Sequence, residues 1–158
     1  MNGVQVTVTQ QSQFPFSLPS SQAVTAIDAI AAGKGWCNVT PDVEDDVGQL
    51  TPNVFQLLIK KGAPVATLVT AAPKKGVPQE SSLGVLHTRG KLSQERLSMI
   101  LGGATFKVRQ NHNQRGLLLN VPWDASASEI LRVMCTATDL LCDYERKDDW
   151  RMDLFVRD

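Results

Sequence analysis

The alternation of apolar and polar residues is clearest in the last third of the chain. Residues 105–109 alternate and residues 117–121 form a second apolar run, while the polar residues 110–116 between them suit a turn. Ser126 and Glu129 have the spacing of a helix capping box. An apolar stripe at helical spacing follows: Ala127, Ile130, Leu131, Met134, Thr138 and Leu141. Residues 150–156 alternate again, so this third predicts a hairpin, a helix over 126–141 and a final strand.

The first third has the same predicted order of elements. Apolar alternation over 4–8 predicts a strand, residues 10–13 are interpreted as a polar turn, and residues 14–18 predict a second strand. Pro15 places that strand at a sheet edge or a bulge. Ser20 or Ser21 caps a helix that ends at Gly33 and Gly35, and residues 36–39 are extended. The order strand, strand, helix, strand therefore occurs twice, which suggests a structural repeat.

The middle of the chain predicts two helices around two strands. Thr51 and Pro52 begin a helix that ends at Gly62, and Ser93 caps a shorter helix that ends before Gly102. Residues 64–71 and 83–88 predict strands joined by an exposed loop. The fold expected is α+β, with mixed sheet(s) and about four helices, as two ββαβ units flanking a central αββα segment. We expect one compact domain over 1–158, or else a subdivision at 1–45, 46–103 and 104–158.

Composition narrows the class of protein. Among 158 residues, 16 basic side chains balance 16 acidic ones, which argues against a protein whose main task is coating nucleic acid or an anionic membrane. The first residues lack the pattern of a signal peptide, and no run approaches the ~20 apolar residues of a membrane span. Three cysteines at spacings that match no zinc signature suggest reduced thiols. We therefore expect a cytoplasmic protein with no cofactor, no metal and no membrane partner; the oligomeric state stays open.

Catalytic chemistry has few candidates. A cysteine nucleophile would need His87 or His112 as its base, brought close by the fold. Cys135 lies on the apolar face of a predicted helix, which leaves Cys37 as the thiol to test. The acidic residues 42–46 lack the spacing of a calcium loop and are interpreted as a solvated linker. No nucleophile elbow or phosphate-binding glycine loop is present, so we predict a non-enzymatic protein in which Cys37 is an ordinary thiol.

Basic side chains gather around the C-terminal hairpin. Lys107 and Arg109 are expected to share the solvent face of one strand, His112 and Arg115 to lie in the turn, and Arg132 to lie on the exposed side of the following helix. Such a cluster suits phosphates or an acidic protein surface. The plainer interpretation is a solvated face that blunts edge-to-edge aggregation.

The segment 105–156 resembles ubiquitin-like β-grasp domains, and among them Ras-association domains. The resemblance lies in the hairpin 106–122, the capped helix that begins at 124–131 and the strand 150–156, about a third of the chain. It implies that cations of the hairpin and helix, here Lys107, Arg109 and Arg132, contact an acidic partner. That fold normally adds another turn and strand, so the remaining strand is expected either to come from elsewhere in this chain or to be absent.

The function expected is a non-enzymatic module that binds an acidic protein surface through a sheet edge and a basic face. One alternative is nucleic-acid binding by the same cations together with Lys60, Lys61, Lys74 and Lys75. Another is a small cysteine-dependent enzyme.

Overall fold

The computed structural model describes residues 8–43, 63–144 and 146–157. In chain order their elements are β1 Val8–Phe16, α1 Ser21–Ala29, β2 Gly35–Val43, β3 Val65–Val69, β4 Ser81–Leu86, α2 Gln94–Leu101, β5 Lys107–His112, β6 Gly116–Val121, α3 Ala127–Leu140 and β7 Arg146–Arg157. These bounds confirm the predicted hairpin, the helices after Ser20, Ser93 and Ser126, the two middle strands and the final strand. The helix predicted over 51–62 lies outside the described residues.

A serine begins each of the three described helices. The hydroxyls of Ser20, Ser93 and Ser126 each accept a hydrogen bond from the backbone N–H three residues further on, at 3.1, 3.2 and 3.1 Å. This contact satisfies one of the N–H groups that the first helical turn leaves without a partner. Gly102, at φ 54°, ends α2 in the left-handed conformation that glycine adopts without strain.

All seven strands belong to one antiparallel sheet, in the order β1-β7-β2-β3-β4-β6-β5. Two hairpins, β3–β4 and β5–β6, account for part of this order, and the pairing of β3 with β4 was expected. The final strand β7 lies between β1 and β2, so the sheet joins segments from the start and the end of the chain. Pro15 lies on the edge strand β1, as predicted.

One face of the sheet carries the core. Buried side chains form a row across five neighbouring strands: Leu154, Cys37, Leu68, Leu83 and Leu119. The helices pack on this face, since side chains of all three belong to the same buried cluster: Ile27 of α1 with Ile30 at its C-cap, Ile100 of α2, and Leu131 and Met134 of α3. Alternate strand residues therefore point to the core, and the residues between them point away from the helices.

The predicted fold needs two corrections. The expectation of mixed sheet(s) and about four helices is wrong, because the described residues form a single antiparallel sheet with three helices. The first ββαβ unit is also wrong, because residues 10–13 lie inside β1 and do not form a turn. The polar side chains of residues 10–13 suggested a turn, but β1 is an edge strand, and polar side chains on an edge strand are exposed to water.

The second predicted unit keeps its order along the chain but not its expected arrangement in the sheet. β7 pairs with β1 and β2, and three strands separate it from the β5–β6 hairpin. Met152 and Leu154 point to the core and Phe155 lies on the opposite face, so β7 carries apolar side chains on both faces. Such a strand suits the interior of a sheet, where both of its edges are paired.

Candidate interaction surface on the open sheet face

The second face of the sheet has no described helix packed on it, and we name it the open face. One row of cross-strand neighbours spans all seven strands on this face: Gln11, Phe155, Trp36, Val69, Ser82, Asn120 and Lys107. With strands ~4.8 Å apart, six spacings make this row about 29 Å wide. The predicted basic residue Lys107 thus shares a row with two aromatic side chains.

An aromatic pair and an arginine side chain contact one another on the open face. Trp36 of β2 and Phe155 of β7 are stacked, with ring centroids 5.0 Å apart and an interplanar angle of 12°. The guanidinium carbon of Arg157 lies 4.8 Å from the centroid of the Trp36 ring, which is a cation–π contact. The backbone N–H of Arg157 donates to the carbonyl of Lys34 at 2.7 Å. These contacts hold the three side chains in one geometry.

Apolar side chains extend the open face toward its centre. Val69 of β3 is 41% exposed and Leu86 of β4 is 40% exposed. Val65 lies opposite Leu86 in the register, and Leu118 of β6 lies opposite Gly84. Val69 is the cross-strand neighbour of Trp36, whereas Thr67 and Gly84 separate it from the Val65–Leu86 pair on the same face.

Two of the predicted binding residues lie where the open face reaches the edge strand β5. Lys107 and Arg109 are exposed and both neighbour Asn120, the first by strand register and the second through a 3.4 Å hydrogen bond from its Nη1 to Oδ1. A bulge in β5 falls between Val108 and Gln110. The structure therefore brings Lys107 and Arg109 together at the end of the row.

The turn that follows β5 is held by His112. Its Nδ1 accepts hydrogen bonds from the backbone N–H groups of Gln114 at 3.0 Å and Arg115 at 3.2 Å. His112 and Arg115 are exposed. Arg115 adds charge at the tip of the hairpin, whereas the His112 ring has a local structural role.

Arg132 differs from the prediction. Its side chain is half-buried between α3 and α2, and its Nη2 donates to the carbonyl of Leu101 at 2.7 Å. The last turn of α2 contains no basic residue of its own, so Arg132 supplies the cation that a helix C-terminus favours. Arg132 therefore lies on the helix side of the sheet, away from Lys107 and Arg109.

Cys37 does not have the environment of a catalytic thiol. It is fully buried in β2, and burial raises the pKa of its thiol to about 12, although a backbone hydrogen bond with Leu68 acts in the opposite direction. A thiol with this pKa has a negligible thiolate fraction near neutral pH. Cys135 is buried and Cys142 half-buried, and no disulfide joins any two of Cys37, Cys135 and Cys142.

Neither histidine is presented as a catalytic base. The Nδ1 of His87 accepts the backbone N–H of Arg89 at 3.1 Å, and its Nε2 is buried without a hydrogen-bond partner in the described part of the chain. Burial is the main cause that lowers the pKa of His87, and the positive charges of Arg96 and Arg89 lower it further, against the carboxylate of Asp143. His87 is therefore a neutral, structural side chain at neutral pH.

Sequence reasoning missed Trp36, Phe155 and Arg157 as surface residues. A signal was present in β7, because Phe155 falls on the face that otherwise carries Arg151, Asp153 and Arg157. An aromatic residue on the polar face of a strand indicates a contact outside the core. The partner of Phe155 could not be identified in this way, because Trp36 lies more than a hundred residues earlier in the chain.

The fold and this surface define an α+β protein that presents an open antiparallel sheet with aromatic and basic side chains. No family model matches the sequence, and comparison with the curated proteins and with the solved structures found no match. Within 8–43, 63–144 and 146–157, no three acidic, histidine or cysteine side chains are grouped as metal ligands would be. None of the described helices has the length and apolar character that crossing a membrane requires.

Proposed function

We propose that this protein is a non-enzymatic interaction module that binds an acidic surface of another protein. The observation that carries the proposal is the single cross-strand row that joins the Trp36–Phe155 pair to Lys107 at the edge of the sheet. The open face and the β5 edge would act as one surface, with apolar contacts at the centre and charged contacts around them.

The composition of the open face supports this proposal. Tryptophan and arginine are the residue types that most often dominate binding energy, and both are present in the Trp36–Arg157 contact. Val69 adds exposed apolar area beside this contact, and Leu86 adds more elsewhere on the same face. An apolar centre with a charged rim is the usual anatomy of such surfaces.

Charge favours an acidic partner. Lys107, Arg109, Arg151 and Arg157 lie on this face. The carboxylate of Asp153 is partly satisfied within the face, since it accepts a hydrogen bond from Nε2 of Gln13 at 2.6 Å. A cationic rim accelerates association with acidic surfaces and selects against basic ones.

The β5 edge would contact the partner through its side chains and not by pairing its backbone with a strand of the partner. Its bulge at Arg109 interrupts the regular ladder, and its two cations are of the kind that prevent strand addition at an edge. The partner would therefore lie across the open face.

A pair of charge reversals tests this proposal. The double variant Lys107→Glu/Arg109→Glu should lower partner recovery in pull-downs from source-organism extract by about tenfold or more, because close charge pairs contribute more than ~1.4 kcal/mol at many interfaces. The control Lys74→Glu/Lys75→Glu makes the same change of charge in the exposed loop that joins β3 to β4 and should leave recovery unchanged. Equal recovery with both doubles, each folded as judged by circular dichroism, contradicts the proposal.

Single-stranded nucleic acid is a second candidate, favoured by the aromatic pair and Arg157 on an open antiparallel sheet. Such platforms stack bases on aromatic rings beside cations. The Trp36 ring, however, already contacts Phe155 and Arg157. Of the further cations expected to act here, Lys74, Lys75 and Arg115 are exposed, whereas Lys60 and Lys61 lie outside the described residues.

Salt dependence separates the two candidates. A labelled single strand should show no binding in fluorescence anisotropy at ~50 mM salt if the surface is a protein interface. Binding whose affinity falls steeply with added salt would replace protein recognition by nucleic-acid recognition.

A further inference from the structure

A cavity of about 270 Å³ lies on the helix side of the sheet, away from the open face. It is enclosed by the end of α1, the start of α3 and the loop that joins β3 to β4. Most of its wall is apolar, including Ile27, Leu68, Val121 and Ile130. Small-molecule sites are concave and mostly apolar, with a few polar groups that orient the ligand.

Asp28 is the charged side chain in the lining of this cavity. It lies in the last turn of α1, where the helix dipole is negative and where no basic residue is present. Asp28 is exposed to solvent and forms no ion pair with a cation of the described residues. The α1 wall is therefore negative without a compensating charge.

The opposite wall does not offset this charge. The start of α3 is the positive end of that helix, but the acidic residue Glu129 lies in the first turn of α3. The backbone N–H of Glu129 already donates to the hydroxyl of Ser126. Lys74 and Lys75 are exposed on the neighbouring loop and do not line the cavity. A cation bound in the cavity could approach the exposed carboxylate of Asp28.

Trp123 stands at the rim of the cavity with 65% of its surface exposed. A backbone hydrogen bond from Ala125 to the carbonyl of Pro122 closes the turn that presents it. An exposed indole attracts ammonium groups through its ring face and gives apolar cover to the rest of a ligand.

We propose that this cavity binds a small organic ammonium ion with a compact apolar body, such as an arylalkylamine. The apolar body would fill the space beside Ile27 and Leu68, and the ammonium group would meet Asp28 and the Trp123 ring. A volume of about 270 Å³ suits a ligand the size of a fragment. Gln79 and Ser81 line the cavity and offer neutral hydrogen-bonding groups.

Calorimetry and amide NMR with 2-phenylethylamine test the site. Saturable binding with a Kd between about 0.01 and 1 mM is expected for about nine non-hydrogen atoms. The neutral analogue 2-phenylethanol should bind about threefold more weakly, because Asp28 is exposed and an ion pair with an exposed carboxylate is screened by water. Chemical shifts should change at Asp28, Thr70, Gln79 and Trp123, and not at Trp36.

Two variants identify the groups responsible. Asp28→Asn should weaken binding of the amine about threefold, the effect expected at an exposed carboxylate, and leave binding of 2-phenylethanol unchanged. The control Asp139→Asn removes a carboxylate from the last turn of α3, outside the cavity, and should bind the amine like the wild type. Trp123→Ala should weaken binding of both compounds, and its exposed position makes loss of the fold an unexpected result.

Absence of saturable binding at ~10 mM amine would overturn the proposal, since fragment sites of this kind bind more tightly than that. Equal affinity for 2-phenylethanol, or full affinity in Asp28→Asn, would overturn it as well. These readings concern the helix side of the sheet, so they are independent of the pull-down result for the open face.

Discussion

Burial governs the chemistry of Cys37. With a pKa of about 12 and no exposed surface, this thiol should resist iodoacetamide at pH 8 in the native protein and react once denaturant is added. Cys142 is half-buried and should be labelled first, which gives an internal control. Mass spectrometry of digested samples measures both sites. A labelling inflection for Cys37 below the ordinary thiol value of ~8.5 would reopen the enzymatic alternative.

Whereas burial raises the pKa of Cys37, it lowers the pKa of His87. Its pKa is lowered from the ordinary 6.5 in the folded protein, so the unfolded chain binds the proton at a higher pH than the folded chain does. The free energy of unfolding should therefore fall as pH decreases below about 6.5 and level off below the folded pKa. Urea unfolding between pH 7.5 and 5 measures the effect.

His87→Asn is the matched variant, because its side-chain oxygen can accept the backbone N–H of Arg89 in place of Nδ1. It should lose stability less steeply over this range than the wild type. His112→Asn alters the exposed histidine and serves as the control. An identical pH dependence in His87→Asn and wild type would contradict this assignment.

At the scale of elements, α3 is the helix that the core depends on most. Leu131 is 2% exposed, and its truncation to alanine should lower the free energy of unfolding by about 2–5 kcal/mol. In a domain of this size that corresponds to a decrease in Tm of about 4 °C or more. The exposed neighbour Ser128→Ala is the control, expected to stay within ~0.5 kcal/mol. An unchanged Tm for Leu131→Ala would invalidate the packing described for α3.

Arg132 joins two elements. Arg132→Ala removes a charged hydrogen bond to the end of α2, at a half-buried position, and should destabilise the protein by about 1–2 kcal/mol in urea unfolding. The exposed Arg115→Ala should change stability by less than ~0.5 kcal/mol. Partner binding should be retained by Arg132→Ala, whereas loss of binding without loss of stability would return Arg132 to the interaction surface.

Local signals explain which elements could be predicted. Each described helix begins with a serine whose hydroxyl accepts a backbone N–H nearby, so a few adjacent residues specify the start of the helix. Strand order has no such local code. The neighbours of β7 are β1 and β2, which the sequence separates from it by most of the chain. The basic pair Lys107 and Arg109 was predicted from one strand, while the Trp36–Phe155 pair required that long-range pairing.

At the scale of the whole molecule, protection from solvent exchange should follow position in the sheet. β3 and β4 have partners on both sides, whereas β1 and β5 are edge strands. Hydrogen–deuterium exchange followed by mass spectrometry should therefore show the slowest exchange in peptides from β3 and β4 and faster exchange in β5. Slower exchange in β5 than in β4 would show that the β5 edge is covered in solution.

β7 is translated last of the seven strands, whereas its partners β1 and β2 are translated first. Gln13 of β1 and Asp153 of β7 are 140 residues apart in the chain. A ribosome that adds ~5–20 residues per second therefore makes Asp153 about 7–28 s after Gln13. Until β7 emerges, β1 has no partner strand in the described sheet, and the edge of β2 that β7 later covers is unpaired. An unpaired strand edge is a template for pairing with another polypeptide. Each newly made molecule therefore passes through an interval in which the strand edges that β7 later covers are open to pairing with another chain.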